Sequence, residues 1–309
     1  MEVFLLGHLV VDTVSHEGRP RKSLGGTVSF GALAALRHQA RPHIVSKIGL
    51  DFPDEYLISL SRKGVDISHV RVSRSRPTTK FKLVYEDHER VLYLLARCED
   101  ILLGDVPLGE IEGSIAVIGS VIGEVPPNVV QAVSEKAALT VSDIQGYIRR
   151  VSRDKKIYLT ATPEARAVIS VSDIVHGEAL EARVLYGDLE PRELAWSLVR
   201  DGAGIGVVTM GPQGAYIATS QKGYYVPAAP SGPVVDRTGA GDVFTTVFAI
   251  EYQRTGDIRE AGAYAAAAAS YLIERPGLEG MKSRWELRGR MREVLEKIVE
   301  EDMPPRAKE

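Results

Sequence analysis

The chain reads as an α/β protein: a mainly parallel central sheet, helices on both faces, and a small β-sheet lid. Three observations predict this. From Ile115 onward short apolar runs at 115–118, 139–141, 157–160, 174–176 and 206–209 alternate with helical stretches such as 127–137, 191–201 and 242–254. Between residues 70 and 97 the pattern changes to strand-like runs with no helix among them. A length of 309 residues suits one large α/β unit with a small attachment. The expected core is 1–12, 24–69 and 99–309, and the expected lid is 13–23 and 70–98.

Composition narrows the classes. A hydrophobic fraction of 44% supplies a substantial core. The net charge of -3 gives no general drive toward nucleic acid or anionic membrane. No segment approaches the ~20 apolar residues of a membrane helix. The first apolar run, Val3-Phe4-Leu5-Leu6, is too short for a signal peptide and has no basic lead-in, so it is expected to be a buried strand. Cys98 is the lone cysteine, which fits a reducing cytoplasm. A single asparagine, Asn128, among abundant Arg and Glu resembles a thermophile's composition. The seven histidines show no pair at metal-ligand spacing. Gly202-Ala203-Gly204-Ile205-Gly206 resembles part of a dinucleotide fingerprint, but it precedes a strand instead of following one. No Walker-type phosphate loop is present.

Taken in order, residues 3–11 read as the first strand, ending at Asp12. Ligands of open α/β sheets gather at strand carboxyl ends, where Asp12 could accept hydrogen bonds from an acceptor's hydroxyls or simply cap a turn. Residues 13–23 form a polar hairpin turning at Gly18-Arg19-Pro20. Gly25-Gly26 then leads into a helix over 32–38, and paired glycines let backbone approach a ligand closely. Lys47, ending the strand over 43–49, either reaches a substrate or stays solvated. Alternation over 78–85, a turn at 86–90 and a run at 91–95 make the lid, with Thr78 and Thr79 as candidate substrate contacts. Asp143 and Gln145 project where the strand over 139–141 ends. Glu178 and Glu181 follow the strand at 174–176. Thr209, Gly211 and Gly214 form a strand-to-glycine turn. Ala265–Ala269 marks a closely packed helix, residues 283–299 an amphipathic one, and 301–309 a disordered tail.

The stretch that organises these pieces is Asp236-Arg237-Thr238-Gly239-Ala240-Gly241-Asp242, which opens an apolar helix. A helix start leaves its first N–H groups unpaired, and the helix dipole adds positive charge there. Small residues let an anion settle on those donors. Asp242 stands beside that anion pocket, where a carboxylate is costly unless it takes a proton from an attacking hydroxyl.

This stretch resembles the Asp-x-Thr-Gly-Ala-Gly-Asp signature of the ribokinase-like (PfkB) family of sugar kinases, with Arg237 at the variable position. Gly25-Gly26 before a helix resembles the family's first signature, although Phe30 stands where many members carry a substrate-contacting Asn. The Gly-Gly-x-x-Ser-Phe stretch, Gly123-Glu124, and Asp143-Ile144-Gln145 with Arg149 look like the family's inositol kinases. The resemblance implies an ATP-dependent kinase with Mg2+, acting on a small polyol or sugar, with myo-inositol preferred. Asp242 is implied as base, and Gly239, Ala240 and Gly241 as the anion hole. Asp12, Gly25, Gly26, Phe30, Lys47, Thr79, Asp143 and Gln145 are implied around the acceptor. Glu178, Thr209, Gly211, Gly214 and Thr238 are implied along the nucleotide. Glu181 would act through magnesium, although Glu178 replaces the family's usual Asn. Asp236 and Thr238 sit where some relatives hold a monovalent cation. Alternatives are a nucleoside or keto-sugar-acid kinase of the family, and a non-catalytic sugar- or nucleotide-binding regulator. No nucleic-acid or membrane partner is expected, and monomer and homodimer are both open.

Overall fold

Alternation along single strands decides the layering. In the computed structural model, which describes residues 1–16, 19–86 and 89–302, Val3 and Leu5 enter one apolar core while Phe4 and Leu6 enter a second. Ile115 and Val117 divide from Ala116 and Ile118 in the same way. A sheet whose strands are apolar on both faces must be covered on both.

The chain begins with β1 (Glu2–Leu6), β2 (Val10–His16), β3 (Arg19–Gly25), α1 (Thr27–Arg37), β4 (Arg41–Gly49), α2 (Asp54–Arg62) and β5 (Val70–Ser73). Next come β6 (Lys80–Glu86), β7 (Glu89–Ala96), α3 (Leu108–Ile111), β8 (Ile115–Ile118), α4 (Pro127–Ser134) and β9 (Leu139–Asp143). They are followed by α5 (Gln145–Ile148), β10 (Arg149–Val151), β11 (Ile157–Leu159), α6 (Pro163–Ile169), β12 (Ile174–Glu178), α7 (Ala179–Tyr186) and α8 (Pro191–Arg200). The last elements are β13 (Ile205–Thr209), β14 (Ala215–Ala218), β15 (Lys222–Val226), α9 (Ala240–Thr255), α10 (Ile258–Leu272), α11 (Arg288–Leu295) and β16 (Val299–Asp302).

Among the described residues, ten strands form the central sheet in the order β16-β15-β14-β13-β12-β9-β8-β1-β4-β5. The pairs from β13 to β5 are parallel, and β13-β14-β15-β16 pair antiparallel. One core lies between the sheet and α1, α9, α10 and α11, the other against α4, α6 and α8. The second sheet has the order β3-β2-β6-β7.

Several expected elements pair differently. The run over 3–11 is two strands: β1 stays in the central sheet and β2 belongs to the small one. The break at residues 7–9 is held by Gly7 N–H to the Val45 carbonyl (3.2 Å) and Leu9 N–H to Ser46 Oγ (2.8 Å). Asp12 is therefore on the small sheet. Val70–Ser73 is the edge of the central sheet beside β4, not part of the small one. Residues 157–159 pair antiparallel with β10, and Leu94 N–H reaches the Lys155 carbonyl at 2.9 Å. The helix expected over 283–299 spans Arg288–Leu295, and β16 follows because its backbone completes the edge beside β15. The expected tail lies, apart from Glu301 and Asp302 of β16, outside the described residues, as do Gly18 and the centre of the 86–90 turn.

Beneath α9 sits a buried ion network. Glu251 is fully buried and accepts from His38 Nδ1 at 2.8 Å and Arg284 Nε at 3.0 Å, with Arg254 beside it. It ties α1, α9 and the segment before α11 together. Glu251→Gln should destabilise the fold by about 3 kcal/mol, because His38, Arg254 and Arg284 lose the buried charge they share. Thermal denaturation checks this, with Michaelis constants unchanged below the transition.

Candidate active site

Gly239 adopts φ 78 and ψ 2, the left-handed conformation that stops the preceding loop and starts α9 at Ala240. A Cβ there would also run into the Phe30 ring. Asp236 shapes the loop: its Oδ1 accepts Thr238 N–H at 2.9 Å and its Oδ2 accepts Gly277 N–H at 3.1 Å. The Ala240 N–H turns back to the Arg237 carbonyl at 3.3 Å, while no protein acceptor among the described residues pairs with the Gly239 or Gly241 N–H. The expected three-donor cradle thus has two open donors from its glycines.

Asp242 lies in the first turn of α9. Gln145 Nε2 donates to Thr27 Oγ1 at 3.0 Å and lies 3.5 Å from Asp242 Oδ1. The Thr27 hydroxyl also acts to lower the Asp242 pKa. Three distant segments meet here: the glycine corner at 25–27, the end of β9 and the start of α9. The Asp12 carboxylate lies so close over Gly25 that a Cβ would collide with it.

Behind Asp242 the ends of three adjacent strands are linked by one imidazole. His176 on β12 faces Asp143 Oδ2 on β9 through Nδ1 at 2.8 Å, and Thr209 Oγ1 on β13 through Nε2 at 3.0 Å. Asp143 Oδ1 accepts the Gln145 N–H at 2.8 Å. The ring also backs Gly241, where an added Cβ would meet His176 Cε1 at 3.3 Å. Burial opposes protonation of His176, but the charge and hydrogen bond of Asp143 outweigh it and hold its pKa above the usual value.

Two further carboxylates crowd this place. Burial, then the charge of Asp143, pushes the Asp242 pKa up to about 6, against the opposing Thr27 hydrogen bond, His176 and Arg149. The same two causes push Glu181 up to about 7, while Arg149, 4.0 Å away, pulls it down. Glu181 Oε2 also accepts the Glu178 N–H at 3.0 Å, so the pair caps α7. Glu178 itself is exposed. In the turn after β13, Gly211 and Gly214 have φ of 57 and 90 and flank Pro212 and Gln213, and the Met210 N–H just before them donates to the Gly214 carbonyl at 2.8 Å.

Three expected contacts are placed otherwise. Phe30 is only 2% exposed and supports the cradle from the core. Lys47 Nζ is tied to Asp105 at 2.7 Å and to the Asp100 carbonyl at 2.9 Å. Thr79 is fully buried, with its Oγ1 2.8 Å from His8 Nδ1 and accepting Cys98 N–H at 2.9 Å. Each side chain found partners within the protein that only tertiary contact supplies. Sequence reasoning missed His176 and Thr27. His176 belongs to no motif, and its only signal is its place at the end of a strand beside those ending at Asp143 and Thr209.

Residues 6–284 match the family model for pfkB family carbohydrate kinases, and the chain belongs to that family, whose members act on hydroxyl groups. It is 27% identical over 268 residues to a cytidine kinase of Thermococcus kodakarensis, covering 84% of this chain and 91% of that one. It is 25% identical over 293 residues to a nucleoside kinase of Methanothermobacter thermautotrophicus, covering 90% and 91%. In fold it is similar to a pyrophosphate-dependent kinase of the ribokinase family complexed with a pyrophosphate analogue and myo-inositol, with a TM-score of 0.80, 22% identity, and 93% and 99% coverage. No helix among the described residues is long and apolar enough to cross a membrane.

The Asp242 pKa of about 6 exceeds the ordinary 3.8, so the native state binds this proton more tightly than the unfolded chain. Its contribution to stability is therefore lost as pH rises from about 4 through about 6. Asp242→Asn should raise the melting temperature at pH 7, and the gain should shrink toward pH 4. Differential scanning calorimetry of both proteins across that range checks it.

Proposed function

We propose that the chain is an ATP-dependent kinase that phosphorylates a hydroxyl of a small polyol, with myo-inositol as the preferred acceptor. The observation that carries this reading is Asp242, set in the first turn of α9 and joined through Gln145 and Thr27 to the glycine corner. Above about pH 6 it is ionised and accepts the attacking hydroxyl's proton. The transferred phosphoryl group spreads charge over its outer oxygens. The open Gly239 and Gly241 N–H groups, at the positive end of the α9 dipole, meet that charge without reorganising. Ala240 contributes small size instead of a donor. The turn from Thr209 to Gly214 runs along the donor phosphates, with Thr238 nearby.

Glu181 offers a hard oxygen donor beside Asp143, the chemistry magnesium prefers, and would hold the ion together with the donor phosphates. When bound, the ion would neutralise phosphate charge. His176 fixes Asp143 and Thr209 relative to one another, and Arg149 offsets the carboxylates. Asp12, Gln145 and the Gly25-Gly26 backbone orient acceptor hydroxyls. The β3-β2-β6-β7 sheet acts as the lid that keeps water from the phosphoryl donor. Asp236 spends one oxygen on its own loop and the other on the Gly277 N–H, so a monovalent cation there would contact carbonyls sooner than this carboxylate.

Carboxylate, amide and hydroxyl groups about Asp242 suit a hydroxyl-rich acceptor, and the similar structure with myo-inositol agrees. Two relatives named as nucleoside-type kinases favour a second reading, a nucleoside acceptor. Intact Asp242 stands against a non-catalytic regulator. Incubation with ATP or pyrophosphate, magnesium and a panel of myo-inositol, cytidine and a keto-sugar acid, followed by phosphorus NMR, separates these. Turnover of cytidine without inositol would replace the first reading by the second, and no turnover at all would leave the regulator. With the active acceptor, Asp242→Asn should lower kcat by about 10^3 or more. Wild-type kcat/KM should fall below a pH of about 6 as the base protonates.

A further inference from the structure

A second cluster of titratable groups lies at the amino ends of β1, β4 and β5, away from the strand ends that carry Asp143 and His176. His43 on β4 stands in register with Phe4 on β1, their rings stacked with centroids 4.4 Å apart at 11°. The His69 ring lies 6.2 Å from the same Phe4. Asp66, in the loop after α2, bridges to His43 through the backbone and accepts Ser68 N–H at 2.8 Å. One ligand atom each of His43, Asp66 and His69 lies within 4.8 Å of the other two.

His43 is held from both sides: Nδ1 is 2.9 Å from Asp66 Oδ2 and Nε2 is 2.7 Å from Glu2 Oε2. Arg41 shares Glu2 at 3.3 Å. His69 Nε2 is shielded from solvent and makes no hydrogen bond, although Glu110 Oε2 is 3.3 Å away, inside Coulomb range but outside hydrogen-bond geometry. A buried nitrogen without a partner is costly and calls for an explanation.

We propose that His43, Asp66 and His69 bind a zinc ion, with Glu2 orienting the His43 ring from behind. Two imidazoles and a carboxylate form a three-ligand set with one position left open. Imidazole donors favour zinc over magnesium or calcium. A carboxylate on the far nitrogen of a ligating histidine is the usual outer partner, and Glu2 occupies that place. The ion takes the place of the His43–Asp66 hydrogen bond and clamps β4 to the segment leading into the edge strand β5. Sequence spacing pointed away from zinc because one ligand comes from a strand and the other two from a distant loop.

The test uses the full chain stripped with chelator. Zinc should bind one to one by calorimetry and raise the melting temperature by about 5 °C at saturation. Cobalt(II) in its place should give visible absorption bands of a low-coordinate site. Asp66→Asn and His69→Ala should each abolish both signals while leaving magnesium-dependent kinase turnover unchanged. Absence of one-to-one binding, or its persistence in both variants, overturns the proposal and leaves a Glu2–His43–Asp66 hydrogen-bonded chain. If His69→Ala fails to fold, Asp66→Asn alone decides.

Discussion

The constraint on which the structure depends is the crowding of Asp143, Glu181 and Asp242 at adjoining strand and helix ends. Such acids repel one another and lose hydration on burial. The fold tolerates them by placing His176 among the strand ends, Arg149 beside Glu181, and the amino end of α9 beneath Asp242. These compensations are incomplete, so Asp242 and Glu181 keep raised pKa values. Such residual cost is what marks a candidate functional site among buried acids.

A second carboxylate cluster point works in the opposite sense. Glu124 is fully buried, and its oxygens accept from the His8, Val121 and Ile122 N–H groups at 2.8 to 3.0 Å and from Ser120 Oγ at 2.9 Å. Burial alone would raise its pKa, yet the pKa is lowered. The charge of His8, then the backbone N–H groups of His8, Val121 and Ile122, outweigh that burial. Burial lowers the pKa of His8, against the charge of Glu124 and the hydrogen bond to the Glu99 carbonyl. The nest pins the chain where β1 leaves the central sheet and β2 enters the small one. His8 extends the pin through Thr79 and the Glu99 carbonyl to both flanks of β6 and β7.

Much of this was legible in the residues. The glycine signature at 236–242 predicts a helix start with open donors, and Gly239 at φ 78 against the Phe30 ring is that start. Gly25-Gly26 reads as a place where backbone meets a ligand; within the protein, the Asp12 carboxylate already lies against Gly25. Phe30, Lys47 and Thr79 read as substrate contacts because residue type and place along the chain do not reveal which way a side chain turns. Their partners, Gly239, Asp105 and His8, lie far away in sequence. The 3–11 run reads as one strand because apolar continuity cannot show where hydrogen bonding passes from one sheet to another.

The sequence on its own settles the alternation of strands and helices, the apolar faces and the glycine turn that starts α9, because these depend on local periodicity and on glycine conformation. Folding decides which strand ends stand side by side. Only that adjacency sets His176 between Asp143 and Thr209, denies Ala240 a free donor, and gathers His43 with Asp66 and His69. Long-range pairing carries no local signal, since its free energy appears only when both partners are already in place.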